Sequence, residues 1–196
     1  MPDPADRLSD EILIRRVAAG ERDALRILVD RHGSRVHRLA ARVLGNGEDA
    51  KDAAQDVFVS VFRSAASYRP EARFSTWLHR VTVNRCLSEL ESRKTRRRVL
   101  ADLAGPAREL PPEHGGPSSD STADPADEQL ERRERLRRLE AAFRSLPPRQ
   151  QLAVALHRFE GLGYAEIAAA LDCSVGSVES LLSRAKATLA EKVRGS

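Results

Sequence analysis

The chain has 196 residues, of which 4% are aromatic and 32% charged, with a formal net charge of +4 and an isoelectric point near 9.5. So few aromatics argue against one large core, and the abundance of Ala, Leu, Val and Arg favours small helical bundles. No stretch approaches transmembrane length and the N-terminus lacks an apolar run of signal-peptide length, so a soluble, cytoplasmic chain without membrane insertion is expected.

The first seven residues read as a frayed tail. Ser9 followed by Asp10 and Glu11 is an N-cap with acidic first-turn residues, and Ile12, Val17 and Ala18 carry a helix that stops at Gly20. A second helix is expected from about Asp23 to Leu44, closed by Gly45-Asn46-Gly47. A third spans about Asp49 to Ala66, with Ala50, Ala53, Ala54, Val57, Phe58, Val61, Phe62 and Ala65 at helical spacing. Pro70 prevents continuation through the following loop. Ser75 is expected to cap a fourth helix with Trp77, Leu78, Val81, Val83, Cys86, Leu87 and Leu90 on its apolar side.

Charge then switches sign. From Arg80 to Arg98 seven basic residues face two acidic ones, whereas from Val99 to Ala126 five acidic residues face one base. Pro, Gly, Ser, Asp and Glu dominate from Gly105 to Asp127, the composition of a tether. The expected organisation is all-α: a helical lobe over 1–98, a flexible acidic linker over 99–126 and a second lobe over 127–196.

In the second lobe, Leu130, Leu136, Leu139 and Phe143 give a first helix its apolar face, and Leu146-Pro147-Pro148 opens the next. The segment from Leu162 to Lys186 reads as a helix-turn-helix. Ile167, Ala168 and Leu171 form one face of a short helix, a break falls at Asp172 to Ser174, and Ser174 is placed to cap a second helix. There Val175, Val178, Leu182, Ala185 and Leu189 form an inward stripe. Ser177, Glu179, Ser180, Ser183, Arg184 and Lys186 are left outward, a polar and basic face suited to the DNA major groove. Helix pairs of this kind also serve purely structural ends.

Chemistry on substrates finds no foothold, so the chain is expected not to be an enzyme. There is no phosphate-cradling Gly loop and no His-Glu-x-x-His. Cys86 and Cys173 are too far apart for a zinc ribbon or disulfide framework, and the five histidines lack metal-ligand spacing. No catalytic residue, metal or cofactor is therefore assigned.

Three segments in order carry a resemblance. Asp49 to Phe62 (DAKDAAQDVFVSVF) is similar to region 2.2 of bacterial RNA polymerase sigma factors. Phe74 to Arg85 (FSTWLHRVTVNR) is similar to regions 2.3 and 2.4 of the sigma-70 family members with extracytoplasmic function, the ECF group. Leu146 to Gln150 (LPPRQ) with the helix-turn-helix resembles region 4. The resemblance implies an alternative sigma factor that binds the beta-prime and beta subunits of core polymerase, directs promoter-specific initiation and helps melt the duplex. It also implies a cognate anti-sigma factor, the free chain being a monomer or 1:1 with that inhibitor.

By the same resemblance, Asp52, Gln55 and Asp56 face the polymerase, with Phe58 and Val59 as apolar anchors, Phe58 serving equally well as core. The loop from Ser64 to Arg73, including Tyr68, forms a pocket for a flipped base. Phe74, Ser75, Thr76, Trp77, Arg80, Asn84 and Arg85 belong to the minus-ten element; Asn84 suits a base edge and Arg80 and Arg85 suit phosphates. Trp77 shares a stripe with Val81, so core packing competes with base stacking. Arg93 to Arg98 lies against backbone phosphate. Arg149, Ser177, Ser180, Ser183, Arg184 and Lys186 belong to the minus-thirty-five element. Glu179 and Leu181 depart from the Lys or Arg common in relatives. The linker is implied to thread through the polymerase in place of nucleic acid. A helix-turn-helix regulator with a sensory first lobe is the competing reading; it needs a pocket or receiver-type strands, and neither is legible.

Overall fold

The computed structural model describes residues 8–69, 73–104 and 126–194. Among these residues every regular element is helical. The tail at 1–7, Pro70, and the acidic linker residues Glu109, Glu113, Asp120 and Asp124 lie outside them.

Helix α1 (Asp10–Ala18) starts where Ser9 accepts a hydrogen bond from the Ile12 amide, with Asp10 and Glu11 in the first turn. Helix α2 (Arg22–Leu44) ends at Gly45, whose φ of 70° is the left-handed conformation that glycine adopts without steric cost. The next residue, Asn46, caps α3 (Gly47–Ser64) by accepting from the Glu48 amide at 3.1 Å. A 3₁₀ turn over Ala65–Ser67 leads out of α3. Helix α4 (Phe74–Ala104) begins one residue before Ser75, and the Arg73 carbonyl accepts from the Thr76 and Trp77 amides. Ser75 is thus inside the first turn and not the cap. At its far end α4 runs past Arg98 to Ala104, so the segment expected to be linker begins as helix. Val99 to Ala104 holds no helix breaker, and Gly105-Pro106 is the first.

The second lobe follows as α5 (Ala126–Arg144), α6 (Pro148–Arg158), α7 (Tyr164–Leu171) and α8 (Val175–Arg194). Pro148 occupies the first turn of α6, where its missing N–H costs nothing. At the start of α7 the Glu166 carboxylate accepts from the Gly163 amide at 3.0 Å. Asp172 closes α7 at φ 52°, a left-handed position that a short polar side chain tolerates better than a β-branched one. Ser174 then caps α8, accepting from the Ser177 amide at 3.2 Å.

Two cores result. One belongs to the first lobe alone: Leu13, Ile14, Val17, Leu28, Val57, Phe58, Val61, Tyr68, Phe74 and Leu78 bring α1, α2, α3 and the start of α4 together. The other crosses between lobes. Leu39, Ala40, Val43, Ala50, Val83 and Cys86 from α2, α3 and α4 pack with Leu152, Leu156, Ile167, Ala170, Leu171 and Val178 from α6, α7 and α8. The lobes are therefore in direct apolar contact, with α7 lying against α4. Burial in this core pushes the Cys86 thiol up to about 12, which keeps it protonated and unreactive.

Several expected core positions lie outside. Phe62 is 45% exposed and Val175 42% exposed, and Leu130, Leu136 and Leu139 of α5 are exposed as well. Phe62 sits at the edge of the α3 stripe, four residues after the buried Phe58, and Val175 sits in the first turn of α8 before the helix meets its neighbours.

Candidate nucleic-acid interface

Helix α8 presents its free face as a ready surface. Ser177, Ser180 and Arg184, at i, i+3 and i+7, share one stripe and are all exposed. They line an open groove with Arg149, Ser174 and Leu181. Arg149 is anchored there, its guanidinium donating to the Leu171 carbonyl at 2.6 Å and so tying the start of α6 to the end of α7. Lys186, nine residues after Ser177, lies about half a turn round the helix and shares that flank with Glu179, seven residues earlier; Ser183 falls between the two flanks. Both Glu179 and Lys186 are exposed. Leu181 is half-buried and packs against the shared core, which explains an apolar residue at that position. It is a border residue of the groove.

Helix α4 is organised differently. Arg80 and Asn84, one turn apart, are exposed on one face. Ser75, Thr76 and Trp77 are half-buried. The aromatic residues assigned to the minus-ten element form an internal cluster: Tyr68 and Trp77 meet edge to face at 5.5 Å, and Phe74 and Trp77 lie tilted at 5.9 Å. His32 closes the cluster 5.4 Å from Phe74. Phe74 is fully buried and Tyr68 nearly so, so neither offers a ring face to a base; both set the position of the loop and the start of α4. Of the Ser64 to Arg73 pocket, residues 70–72 lie outside the described set.

The basic residues of α4 divide between solvent and internal partners. Arg85 donates to Asp56 at 2.8 Å and to Glu89 at 3.3 Å. Burial works against its charge, but the Asp56 and Glu89 carboxylates outweigh that and raise the guanidinium pKa. Arg93 donates to the Leu44 carbonyl at 2.8 Å and pairs with Asp49 and Glu89, clamping α4 to the α2–α3 corner. Lys94, Arg96, Arg97 and Arg98 remain exposed.

On α3, Asp52, Gln55, Asp56 and Val59 form an exposed face. Phe58 is buried in the first-lobe core and cannot anchor a partner. Phe62, three residues beyond Val59 on the same side, is instead the exposed aromatic of that face. Its spacing from Val59 places it on that face, although it also fits the apolar period of α3. Among the described residues no cluster of His, Cys, Asp and Glu is arranged to hold a metal, and no helix is long and apolar enough to cross a membrane.

Two family models match the chain in the order of its lobes: sigma-70 region 2 over residues 28–97, and sigma-70 region 4 over residues 136–189. The ECF RNA polymerase sigma-E factor of Escherichia coli K12 is 34% identical over 193 residues, covering 97% of each chain. The chain belongs to the sigma-70 family, in the ECF group. It is an alternative sigma factor that directs promoter-specific transcription initiation. The ECF sigma factor SigE of Mycolicibacterium smegmatis is 40% identical over 163 residues, 83% of this sigma factor and 58% of that one. Among solved structures, CnrH in complex with the cytosolic domain of CnrY matches with a TM-score of 0.62 at 26% identity, over 95% of this chain and 97% of that chain. The Bartonella quintana sigma factor RpoE, solved with the anti-sigma factor NepR, shares the fold at a TM-score of 0.60 and 20% identity, over 85% and 94%. The region 2 match spans α3 and most of α4, and the region 4 match ends within α8.

Proposed function

We propose that this sigma factor divides promoter recognition between α4 and α8 and docks on core polymerase through α3. Asp52, Gln55 and Asp56, with Val59 and Phe62, meet a basic helical element of the beta-prime subunit. Asn84 pairs with a base edge of the opened minus-ten element while Arg80 and the exposed Lys94 to Arg98 run hold phosphate. Ser177, Ser180 and Arg184 face the minus-thirty-five duplex with Arg149 at its backbone, and Lys186 holds phosphate on the neighbouring flank. Ser75, Thr76 and Trp77 shape the entrance beside Tyr68, and Arg85 moves from Asp56 to phosphate when the polymerase claims Asp56. The chain makes and breaks no covalent bond, works in the cytoplasm where the polymerase is, and is restrained by a cognate anti-sigma factor.

One observation carries this reading: two exposed polar faces of different lobes, Arg80–Asn84 and Ser177–Ser180–Arg184, each stand on a helix that its matching family region supplies. The test is reconstitution. Core polymerase plus the purified chain should initiate at a cognate promoter that neither component transcribes alone, and sequencing the transcripts should define the promoter. Failure of the chain to bind core polymerase overturns the proposal.

A further inference from the structure

The seam between the lobes contains a buried ionic cluster that no promoter contact requires. Glu160, just past α6, keeps only 5% of its side chain exposed. Its carboxylate accepts from the Arg35 guanidinium of α2, and a second Arg35 nitrogen donates to the Glu160 carbonyl at 3.4 Å. On the other side stands His79 of α4, with Nε2 3.9 Å from the same carboxylate oxygen. His79 is itself buried, and its Nδ1 has no hydrogen-bond partner. Around this centre Arg80 reaches Asp172 at 3.4 Å, the Arg42 guanidinium lies 4.4 Å from the centre of the Phe159 ring, and Arg144 donates to the Gly45 carbonyl at 3.4 Å.

We infer that Glu160, held by Arg35 and His79, is an intramolecular latch that keeps the free sigma factor shut and must be released before a promoter is read. A buried charge is tolerated only where partners compensate its lost hydration, and in this chain those partners come from the opposite lobe. The same chemistry makes the seam releasable. Parting the apolar contact between the lobes exposes surface that water solvates poorly, whereas parting Glu160 from the partly exposed Arg35 returns the carboxylate to full hydration and offsets part of that cost. The ion pair therefore fixes how the lobes meet without welding them.

Closure and promoter reading exclude each other on size. Taking the proposed division of labour, the two elements are about 25 base pairs apart, roughly 85 Å of duplex at 3.4 Å per pair. A compact body of this chain length has a radius of gyration of only about 16 Å. In the closed form α7 lies on α4, and Arg80 is engaged by Asp172 of the helix-turn-helix turn. Residues 105–125 separate α4 from α5, and a fully extended chain of that length reaches about 70 Å. Covalent connection thus permits the separation that the latch opposes.

Small-angle scattering of the full free chain tests the latch without reference to transcription. Wild type should scatter as a compact particle, and Glu160→Arg, which sets two cations face to face, should enlarge the radius of gyration by roughly a fifth or more. Joining it with Arg35→Glu, which restores the pair with reversed sign, should return the chain towards the compact value. Helical circular dichroism run in parallel separates opening from unfolding. Should Glu160→Arg lose helix, Glu160→Gln and the charge-swapped pair provide the decision. Core-polymerase binding, measured by equilibrium titration, should tighten several-fold in Glu160→Arg, because the competent open population is larger. An extended wild type, a Glu160→Arg chain as compact as wild type, or a swapped pair that stays open would each overturn the latch. Opening by scattering with no polymerase binding by any variant would leave the latch standing and sink the proposed division of promoter reading.

Discussion

The two helices assigned to promoter contact stand in opposite states of readiness. Helix α8 carries Ser177, Ser180 and Arg184 on an open groove, and the polar contacts that set that groove (the Ser174 cap and Arg149 on Leu171) come from its own lobe. Helix α4 carries Asn84 in solvent, but Arg80, Arg85 and Arg93 are each held by acidic partners, and its aromatic neighbours are folded inward. The difference fits the two tasks proposed for these helices. Duplex DNA presents a finished groove that a rigid helix can enter, so pre-organisation helps. A melted strand must first be created, and the surface that captures it can stay engaged internally until polymerase and DNA displace the partners.

The strongest way to break the comparison is to damage the support of α4 alone. Phe74 is fully buried at the meeting point of His32, Tyr68 and Trp77, and removing a buried phenylalanine costs about 3–5 kcal/mol. Phe74→Ala should lower the urea midpoint of the chain by a corresponding amount and abolish promoter opening in permanganate footprints. Retention of opening would show that the inward aromatics do not set the geometry of α4.

Acid should act next, on the seam. The His79 imidazole and the Arg35 guanidinium hold the Glu160 carboxylate down to about 2 against the opposing effect of burial. A carboxyl group whose pKa is depressed on closure stabilises the closed form above its ordinary value near 4.5, and that contribution disappears as pH falls through about 2. Scattering from pH 6 downward should show the lobes parting within that window, and Glu160→Gln should remove the transition there.

How far the sequence could anticipate this depends on the range of each interaction. Helices α1 to α3 and α6 to α8 were legible because caps and apolar spacing act within a few residues: Ser9, Gly45 and Ser174 each stand where an end was expected. The Ser75 cap failed because the Arg73 carbonyl already starts α4. Phe58 and Phe62 could not be ranked by period alone, since both fit it and only the packing of α1 and α2 decides which is covered. The Glu160 cluster left no local trace at all; Arg35 and Glu160 are 125 residues apart and neither lies in a motif. Likewise Leu181 read as a departure on a DNA-facing helix until the neighbouring helices showed it leaning on the shared core.

Two substitutions then sharpen the division between readers. Arg184→Ala removes a guanidinium from the α8 groove and should weaken binding to the minus-thirty-five duplex by about 1–3 kcal/mol, the range for one good base contact. Competition with duplexes altered at single positions should show relaxed discrimination at one base pair. Asn84→Ala should leave that duplex binding unchanged and slow the formation of open complexes, with an effect at the low end of the same range because Asn84 is a small, exposed group. If both variants fail at the same kinetic step, α4 and α8 are not separate readers.

The smallest expected effect discriminates most finely. Asp56 and Arg85 are assigned to different partners, polymerase and DNA, yet they pair with each other at 2.8 Å in the free chain. Their side chains are 53% and 28% exposed, so the pair should contribute no more than about 0.2–1 kcal/mol to stability. A double-mutant cycle of Asp56→Asn and Arg85→Ala, read by urea unfolding, should return a coupling in that range. Read by open-complex formation in the holoenzyme, the same cycle should return near-zero coupling, because docking separates the two side chains and each acts on its own partner. A coupling that survives in the holoenzyme would mean that Arg85 stays on Asp56 throughout, a strut between α3 and α4. The phosphate contact assigned to Arg85 would then fall to Arg80 and the exposed run beyond Arg93.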